Sequence, residues 1–160
     1  LLVQRQLVAD AVNLATNNVT VRTNRPYRPN ARVAVNVRVD NTGTLATPKT
    51  VPVVFFFSAD PVLDDADIQL PGLTAQLGLK AGGFRVLKFT VIAPAAQGSY
   101  FLIARVNSGN GAFADLTSAN DVKAAALPLS VAGTAARSAS AITLFPFSRD
   151  RLFPSELLFA

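Results

Sequence analysis

The most regular pattern in the chain is an alternation of apolar and polar residues over ARVAVNVRVD, at positions 31–40. Four valines, two positions apart, fall on one side of an extended chain, and the arginines and the asparagine fall on the other. A period of two built from β-branched residues predicts a strand with one buried face. The sequence NTGT at 41–44 then predicts a turn, because asparagine and glycine accept unusual backbone angles.

Other segments predict further strands. The run VPVVFFFS at 51–58 is continuously apolar, which is typical of a central strand covered on both sides. Residues 84–94 alternate with a change of phase between Val86 and Leu87, which predicts a β-bulge at that point. The sequence SGNG at 108–111 predicts a hairpin turn. The remaining strand candidates lie within 3–14, 18–23, 73–79, 99–107 and 121–131.

These segments predict the fold class and the domain boundaries. No segment keeps a helical period for long, and turn signals recur about every 8 to 12 residues. We therefore expect an all-β protein, an Ig-like antiparallel β-sandwich of about seven to nine strands with extended N- and C-terminal segments. The sandwich is predicted over 1–131, a small-residue linker over 132–141, and an apolar C-terminal segment over 142–160.

The amino-acid composition excludes several kinds of catalytic site but says little about the fold. The chain has 160 residues and contains no Cys, no His and no Trp. The missing histidine removes the usual general base near neutral pH, and the missing cysteine removes the thiol nucleophile and any disulfide. The only tyrosines are Tyr27 and Tyr100, so there is also little aromatic surface on which a sugar could stack. We therefore expect a protein that is not an enzyme.

Charge and hydropathy set expectations about partners. The net charge is +5, but the arginines are dispersed. The densest group is Arg22, Arg25, Arg28, Arg32 and Arg38. Only one aromatic residue, Tyr27, lies among them. Stacking on nucleic acid uses several interleaved aromatic residues, so we interpret these arginines as lying on solvated outer faces of strands. No apolar run approaches the roughly 20 residues of a membrane helix, and we expect neither a nucleic-acid partner nor a membrane span.

Four aspartates crowd the stretch FFFSADPVLDDADIQLPG at 55–72, and they are the candidate metal ligands. They are Asp60, Asp64, Asp65 and Asp67. Their spacing suits a calcium loop, which needs six to eight oxygen ligands, but there is no EF-hand pattern. The competing interpretation is a turn, in which Asp60 and Pro61 begin the turn and Asp64 caps a helical turn ahead of Asp67. Calcium is thus the one cofactor that the sequence suggests, and otherwise we expect none.

The C-terminal segment is the second unusual stretch. Its sequence ITLFPFSRDRLFPSELLFA contains the unit Leu-Phe-Pro twice, eight residues apart. Such a segment needs cover, either on its own sandwich or on a neighbouring subunit by strand addition or by filling a groove. The candidate assembly residues are Leu144, Phe145, Phe147, Leu152, Phe153, Leu157, Leu158 and Phe159. The apolar N-terminal segment is a second candidate for the contact between neighbouring subunits.

Residues 9–131 resemble the CARDB family, the cell-adhesion-related Ig-like module of bacteria. The resemblance lies in the order of several motifs, VNVRVDNTGTLAT, VVFFFSADPVLDDADIQL and LKAGGFRVLKFTVIAPAAQGSYFLIARVNS. FADLTSAND occupies the place of the family's V-A-E-x-N-E-x-N-N turn. There Asp115 stands for the first Glu, Ser118 for the second Glu, and Asp121 for the final Asn. The resemblance implies a non-catalytic β-sandwich from a surface or secreted bacterial protein.

Together these observations predict an extracellular or cell-surface structural module that associates with itself, as a filament or surface-layer subunit, through its apolar termini. The alternative is an adhesion module of a larger surface protein that binds calcium or a glycan, at loops near Asp60–Asp67 and Asp115–Asp121. Its partners would then be other cell-surface proteins or glycans.

Overall fold

The computed structural model describes residues 10–107 and 114–133, which form two antiparallel sheets packed face to face. The strands are β1 (Leu14–Val21), β2 (Arg32–Asn41), β3 (Thr50–Ser58), β4 (Ile68–Gln69), β5 (Leu73–Gln76), β6 (Phe84–Ile92), β7 (Gly98–Val106), β8 (Val122–Ala124) and β9 (Leu129–Val131). A 3-10 turn, Ser118–Asp121, precedes β8. It is the one helical element in these ranges, so they contain no helix of the length and apolarity that a membrane span needs.

The two sheets differ in how their edges are built. The first sheet has three long strands in the order β1, β2, β6. The second sheet is built on the central pair β3 and β7. The short strands β4 and β5 pair with the outer side of β3, and β8 and β9 pair with β7. The predicted all-β antiparallel sandwich is therefore confirmed.

Alternating side chains of β2 and β3 make the centre of the core. The valines of β2 that alternate with polar residues are at most 1% exposed, as the sequence pattern predicts. Their counterparts on β3 are Val51, Val53, Phe55 and Phe57, which are equally buried. The Phe55 ring meets the Phe89 ring of β6 edge to face, with centroids 5.1 Å apart. Each such fully buried side chain contributes about 1.5–3 kcal/mol to folding.

The prediction that β3 is covered on both sides is also confirmed. Phe56 and Ser58 point away from the central core, yet they are 9% and 4% exposed. β3 is therefore the most enclosed strand, because it has neighbours along both edges and buried side chains on both faces.

The predicted bulge in β6 is wrong. β6 pairs with β2 over all nine residues without a register shift. The apolar Phe84 and Val86, which suggested the change of phase, lie on the outer face and are 59% and 47% exposed. Phe84 is partly covered there by the guanidinium of Arg38, whose Cζ lies 4.2 Å from the ring centroid. The register shift in this sheet occurs instead in β1, between Thr16 and Asn18.

The last part of the sandwich also departs from prediction. Residues 121–131 form two short strands, β8 and β9, which pair with different parts of β7. At the N-terminal end a single strand, β1, occupies parts of both predicted candidates. The predicted hairpin at 108–111 and the apolar segment at 142–160 lie outside the described residues. The predicted domain limits therefore stay predictions.

The Asn-Thr-Gly turn after β2 fastens the N-terminal end of the chain to the sandwich. The Thr42 N–H donates to the Asn13 carbonyl at 2.7 Å, and the Thr44 N–H donates to the Ala11 carbonyl at 2.8 Å. A side chain at Gly43 would place its Cβ 2.2 Å from the Ala11 carbonyl oxygen. The glycine is therefore required for the close approach of two backbones.

We predict that Gly43→Ala destabilises the fold by about 1–3 kcal/mol, because backbone atoms must move to admit the new methyl group. Gly72→Ala is the matched control, since its Cβ would meet only the Val54 Cγ2 at 3.7 Å. We expect the control to change stability by less than about 0.5 kcal/mol. Urea unfolding of the three proteins checks this. Equal midpoints for Gly43→Ala and the parent would contradict the prediction.

Candidate functional site

The aspartate-rich loop leaves the sandwich at the end of β3 and returns to it at β4. The carboxylates of three of its four aspartates accept hydrogen bonds from backbone amides within the loop. Asp60 Oδ1 accepts from the Val62 N–H at 2.8 Å, and Asp64 Oδ1 accepts from the Ala66 N–H at 2.8 Å. Asp67 Oδ2 accepts from the Asp64 N–H at 3.0 Å. Side-chain oxygens used in this way fix turns.

These contacts match the predicted turn geometry. Asp60, Asp64 and Asp65 are exposed, and Asp67 is half-buried. Within residues 10–107 and 114–133, no group of three or more acidic, His or Cys side chains is arranged to hold a metal ion. The calcium assignment of Asp60, Asp64, Asp65 and Asp67 stays a prediction, and the loop itself is accounted for by its internal hydrogen bonds.

A second acidic feature, the pair Asp115 and Asp121, lies at the other end of the sandwich. Asp115 fastens the start of β1, because its carboxylate accepts the Leu14 N–H at 3.2 and 3.3 Å. Val12 and Asp115 form an isolated parallel β-bridge, and the Leu116 N–H donates to the Val12 carbonyl at 3.1 Å. The residues just before β1 are thus bound to residues 115–116.

Asp121 is the buried member of the pair and is only 3% exposed. Its carbonyl accepts a 2.6 Å hydrogen bond from the Thr16 hydroxyl. Its carboxyl contacts that of Asp115, while its Oδ1 has no hydrogen-bond partner among the described residues. Burial and the neighbouring Asp115 raise the pKa of Asp121 to about 8, and the nearby Arg105 partly opposes the shift. Asp121 is therefore mainly a neutral acid at pH 7.

Two asparagines complete this end of the sandwich. Asn120 Nδ2 donates to Asn13 Oδ1 at 3.1 Å, and the Asn120 Oδ1 is buried without a hydrogen-bond partner among the described residues. Asn41 is 1% exposed and bonds across the NTGT turn. Its Nδ2 donates to the Leu45 carbonyl at 2.7 Å, and its Oδ1 accepts from the Gly43 N–H at 3.1 Å. Residues 115–121 of the motif FADLTSAND are thus part of a polar cluster that joins three segments of the chain.

The third feature is the free edge of the first sheet. In the described part of the chain, β6 pairs with β2 alone, so its other edge has no strand partner. β6 has nine residues, no proline and no bulge. The other long edge strand, β1, has a register shift and contacts β8. The edge strands of the second sheet have two to four residues each. Short or bulged edges resist pairing with another chain, and β6 lacks that protection.

Three apolar side chains accompany this edge on the outer face. Phe84, Val86 and Ile92 are 47–59% exposed. Where β6 faces β4 and β5 of the other sheet, a groove of about 170 Å³ opens between the two sheets. Its lining residues are Leu70, Pro71, Leu73, Thr90, Val91 and Ile92. The sequence pattern did not identify this edge. Its only indication was that the apolar Phe84 and Val86 are out of phase with the buried residues of the same strand.

The predicted assembly residues lie outside the described ranges. They are Leu144, Phe145, Phe147, Leu152, Phe153, Leu157, Leu158 and Phe159. Their role in association therefore stays a prediction.

The shifted Asp121 predicts an unusual dependence of stability on pH. Its pKa is about 8 in the folded protein against the ordinary value of 3.8, so the folded state holds more protons between these values. The stabilisation is complete below about pH 4 and is lost as the pH rises through about 8. We predict that the parent loses stability between about pH 5 and pH 9, and that Asp121→Asn flattens this slope.

Urea unfolding across this range measures the effect, with the exposed Asp65→Asn as the matched control. The background is simple, because the chain contains no His and no Cys to titrate in this window. A parent whose stability rises toward pH 9, or an Asp121→Asn variant with the parent's slope, would contradict the assignment.

Comparison with known proteins identifies the fold. No family model matches the chain, and no curated protein matches it significantly in sequence. Among solved structures, it is similar to the CARDB domain of a Pyrococcus furiosus protein. A crystal structure of that domain in complex with di-metal ions has a TM-score of 0.51 and 20% identity, covering 76% of this chain and 94% of that one. A solution NMR structure of the domain has a TM-score of 0.50 and 22% identity, covering 76% and 96%. The described sandwich therefore has the fold of a CARDB domain, as the sequence motifs predicted.

Proposed function

We propose that this protein is a non-catalytic, adhesion-related structural module of a bacterial cell surface that associates with copies of itself. One subunit adds an apolar terminal segment to the sheet edge of the next. A head-to-tail contact of this kind does not close on itself and builds a filament or a surface layer. The observation that carries the proposal is the free edge of β6, which is long, regular and apolar.

The physical reason is the unpaired backbone. No strand of residues 10–107 and 114–133 pairs with the outer side of β6, so the N–H and C=O groups on that side of a nine-residue strand have no ladder partner there. An added strand satisfies them with a ladder of hydrogen bonds, and its side chains cover Phe84, Val86 and Ile92. Proteins that remain monomeric usually guard such an edge with charges, prolines or bulges. Arg85 and Lys88 are the only charged residues of β6 that oppose such pairing.

The C-terminal segment is the better donor of the two apolar ends. Residues 142–160 contain two acids, Asp150 and Glu156, and two arginines, Arg149 and Arg151, so their side chains carry no net charge and are not repelled overall by the positive charges of β6. The N-terminal segment 1–9 contains Arg5 and no acid, so it shares the sign of β6. Opposite charges across paired strands are favourable, whereas like charges are not.

A charge placed on the edge tests the receiving surface. We predict that Val86→Lys weakens self-association at least about tenfold, because a third cation joins the edge and an exposed apolar contact is lost. Asn36→Lys is the matched control, since Asn36 is exposed on the central strand of the same sheet. Sedimentation velocity of both variants measures the effect. Equal association by the two variants would exclude the β6 edge.

Deletion of residues 142–160 tests the donor. We expect the truncated chain to sediment as a monomer with an unchanged unfolding midpoint, because the deletion removes none of the strands in residues 10–107 and 114–133, the last of which ends at Val131. A truncated chain that associates as the parent does would show that the C-terminal segment is not the joint.

Divalent cation binding is the second candidate function. Two observations favour it. The structurally similar Pyrococcus furiosus domain was crystallised with di-metal ions, and Asp121 Oδ1 and Asn120 Oδ1 are buried oxygens without hydrogen-bond partners among the described residues. Calcium coordinates such carboxylate and amide oxygens. A glycan that binds such a cation at the acidic loops would attach the module to another cell surface.

Calcium titration separates two locations for that site. If the acidic loop binds calcium, the melting midpoint rises with calcium, falls with EDTA, and loses both responses in Asp64→Ala/Asp67→Ala. If the buried pair binds it, Asp121→Asn removes the response instead. A parent midpoint that responds to neither calcium nor EDTA would exclude both.

A further inference from the structure

The groove beside β6 is small, apolar and open to solvent. Its volume of about 170 Å³ lies below the range of roughly 300–1,000 Å³ that is typical of small-molecule sites. Four of its lining residues are aliphatic, namely Leu70, Leu73, Val91 and Ile92, and none is charged. The groove therefore suits one large apolar side chain better than a polar metabolite.

The position of the groove follows from how the chain connects its short strands. β4 ends at Gln69 and β5 begins at Leu73, so Pro71 and Gly72 carry the chain along the edge of the second sheet without filling the gap. Farther along the opening, the Arg85 Nη1 donates to the Gln76 carbonyl at 3.2 Å and joins the sheets. The gap thus remains at the Ile92 end of β6.

A strand added to β6 would run across the mouth of this groove. Successive side chains of a strand point to opposite faces, so every second residue of the added strand would face the space between the sheets. Near Val91, which is 5% exposed and faces the core, such a residue would enter the groove. Pairing with the edge and filling the groove are therefore achieved by the same segment.

We propose that this groove is the anchor site for a phenylalanine of a Leu-Phe-Pro unit from the C-terminal segment of a second copy of this chain. The inference rests on the self-association proposed above and adds the receiving pocket and the anchoring residue. The candidate anchors are Phe145 and Phe153.

The sequence of the unit fits this role. The proline after each phenylalanine has no N–H to donate, so strand pairing ends directly beyond the anchor. The two units are eight residues apart, and an even spacing places both phenylalanines on the same face of an extended segment. Eight residues span about 26 Å, so one groove accepts one anchor at a time.

Disulfide trapping tests the contact against a clean background, because the chain has no native cysteine. One protein carries Leu73→Cys, at a half-buried groove residue that pairs with the core residue Val53, and a second carries Phe145→Cys or Phe153→Cys in an otherwise unchanged 160-residue chain. A bridge requires Cα atoms within about 7 Å. Mixed under mild oxidation, the groove and anchor proteins should give a crossed dimer several-fold faster than a mixture with the exposed Asn36→Cys as the receiving control.

A second measurement tests the energetics. Phe145→Ala or Phe153→Ala, whichever cross-links, should raise the dissociation constant for self-association about tenfold to a hundredfold. Ser148→Ala, between the two units, should leave it unchanged. The variants lie outside the described sandwich, so an unchanged unfolding midpoint verifies that folding is intact.

The outcomes separate the two proposals. A parent that stays monomeric contradicts the proposed self-association itself. A parent that associates and loses this on truncation, but cross-links equally at Leu73→Cys and Asn36→Cys, contradicts only the groove. A chain carrying both cysteines that closes an internal bridge, with no crossed dimer, shows that the groove holds its own segment and overturns the second copy as occupant.

Discussion

The contact between the alternating valines of β2 and the valine and phenylalanine side chains of β3 is the interaction on which the rest of the structure depends. The chain has no disulfide and no tryptophan, so this interface holds the two sheets together largely through apolar burial and shape. Its side chains are excluded from solvent. Because a one-residue slip would turn the valines of β2 outward, the interface also sets the register. The positions of the acidic loop after β3 and of the edge strand β6 therefore depend on this interface.

Sequence reasoning was most successful where burial imposes a period. The alternation in β2 and the continuous apolar run in β3 each identify a strand and its environment correctly. It failed where apolar residues face solvent. The change of phase between Val86 and Leu87 predicts a bulge, but β6 is unbroken because Phe84 and Val86 lie on the outer face. The actual irregularity between Thr16 and Asn18 has no hydrophobic signature, because polar residues surround it.

The polar cluster around Asp121 was only partly predictable, for a different reason. The motif FADLTSAND marked the turn, but the burial of one carboxyl against another arises from contacts more than a hundred residues apart along the chain. A neutral acid there can donate to Asp115, which an ionised one cannot. This arrangement is sensitive to pH and joins the N-terminal end of β1 to the 3-10 turn. The aspartates at 60–67 show the opposite case, since local hydrogen bonds explain them and sequence reasoning anticipated that geometry.

The same core that orders the sandwich leaves β6 as an unprotected edge. Its inward apolar side chains serve the core or border the groove, and no strand in the described part of the chain pairs with its outer edge. Self-association through that edge is tested by light scattering of the purified 160-residue chain over a concentration series. We expect a mass that grows with concentration beyond that of one chain. A constant mass of a single chain throughout the series would contradict it.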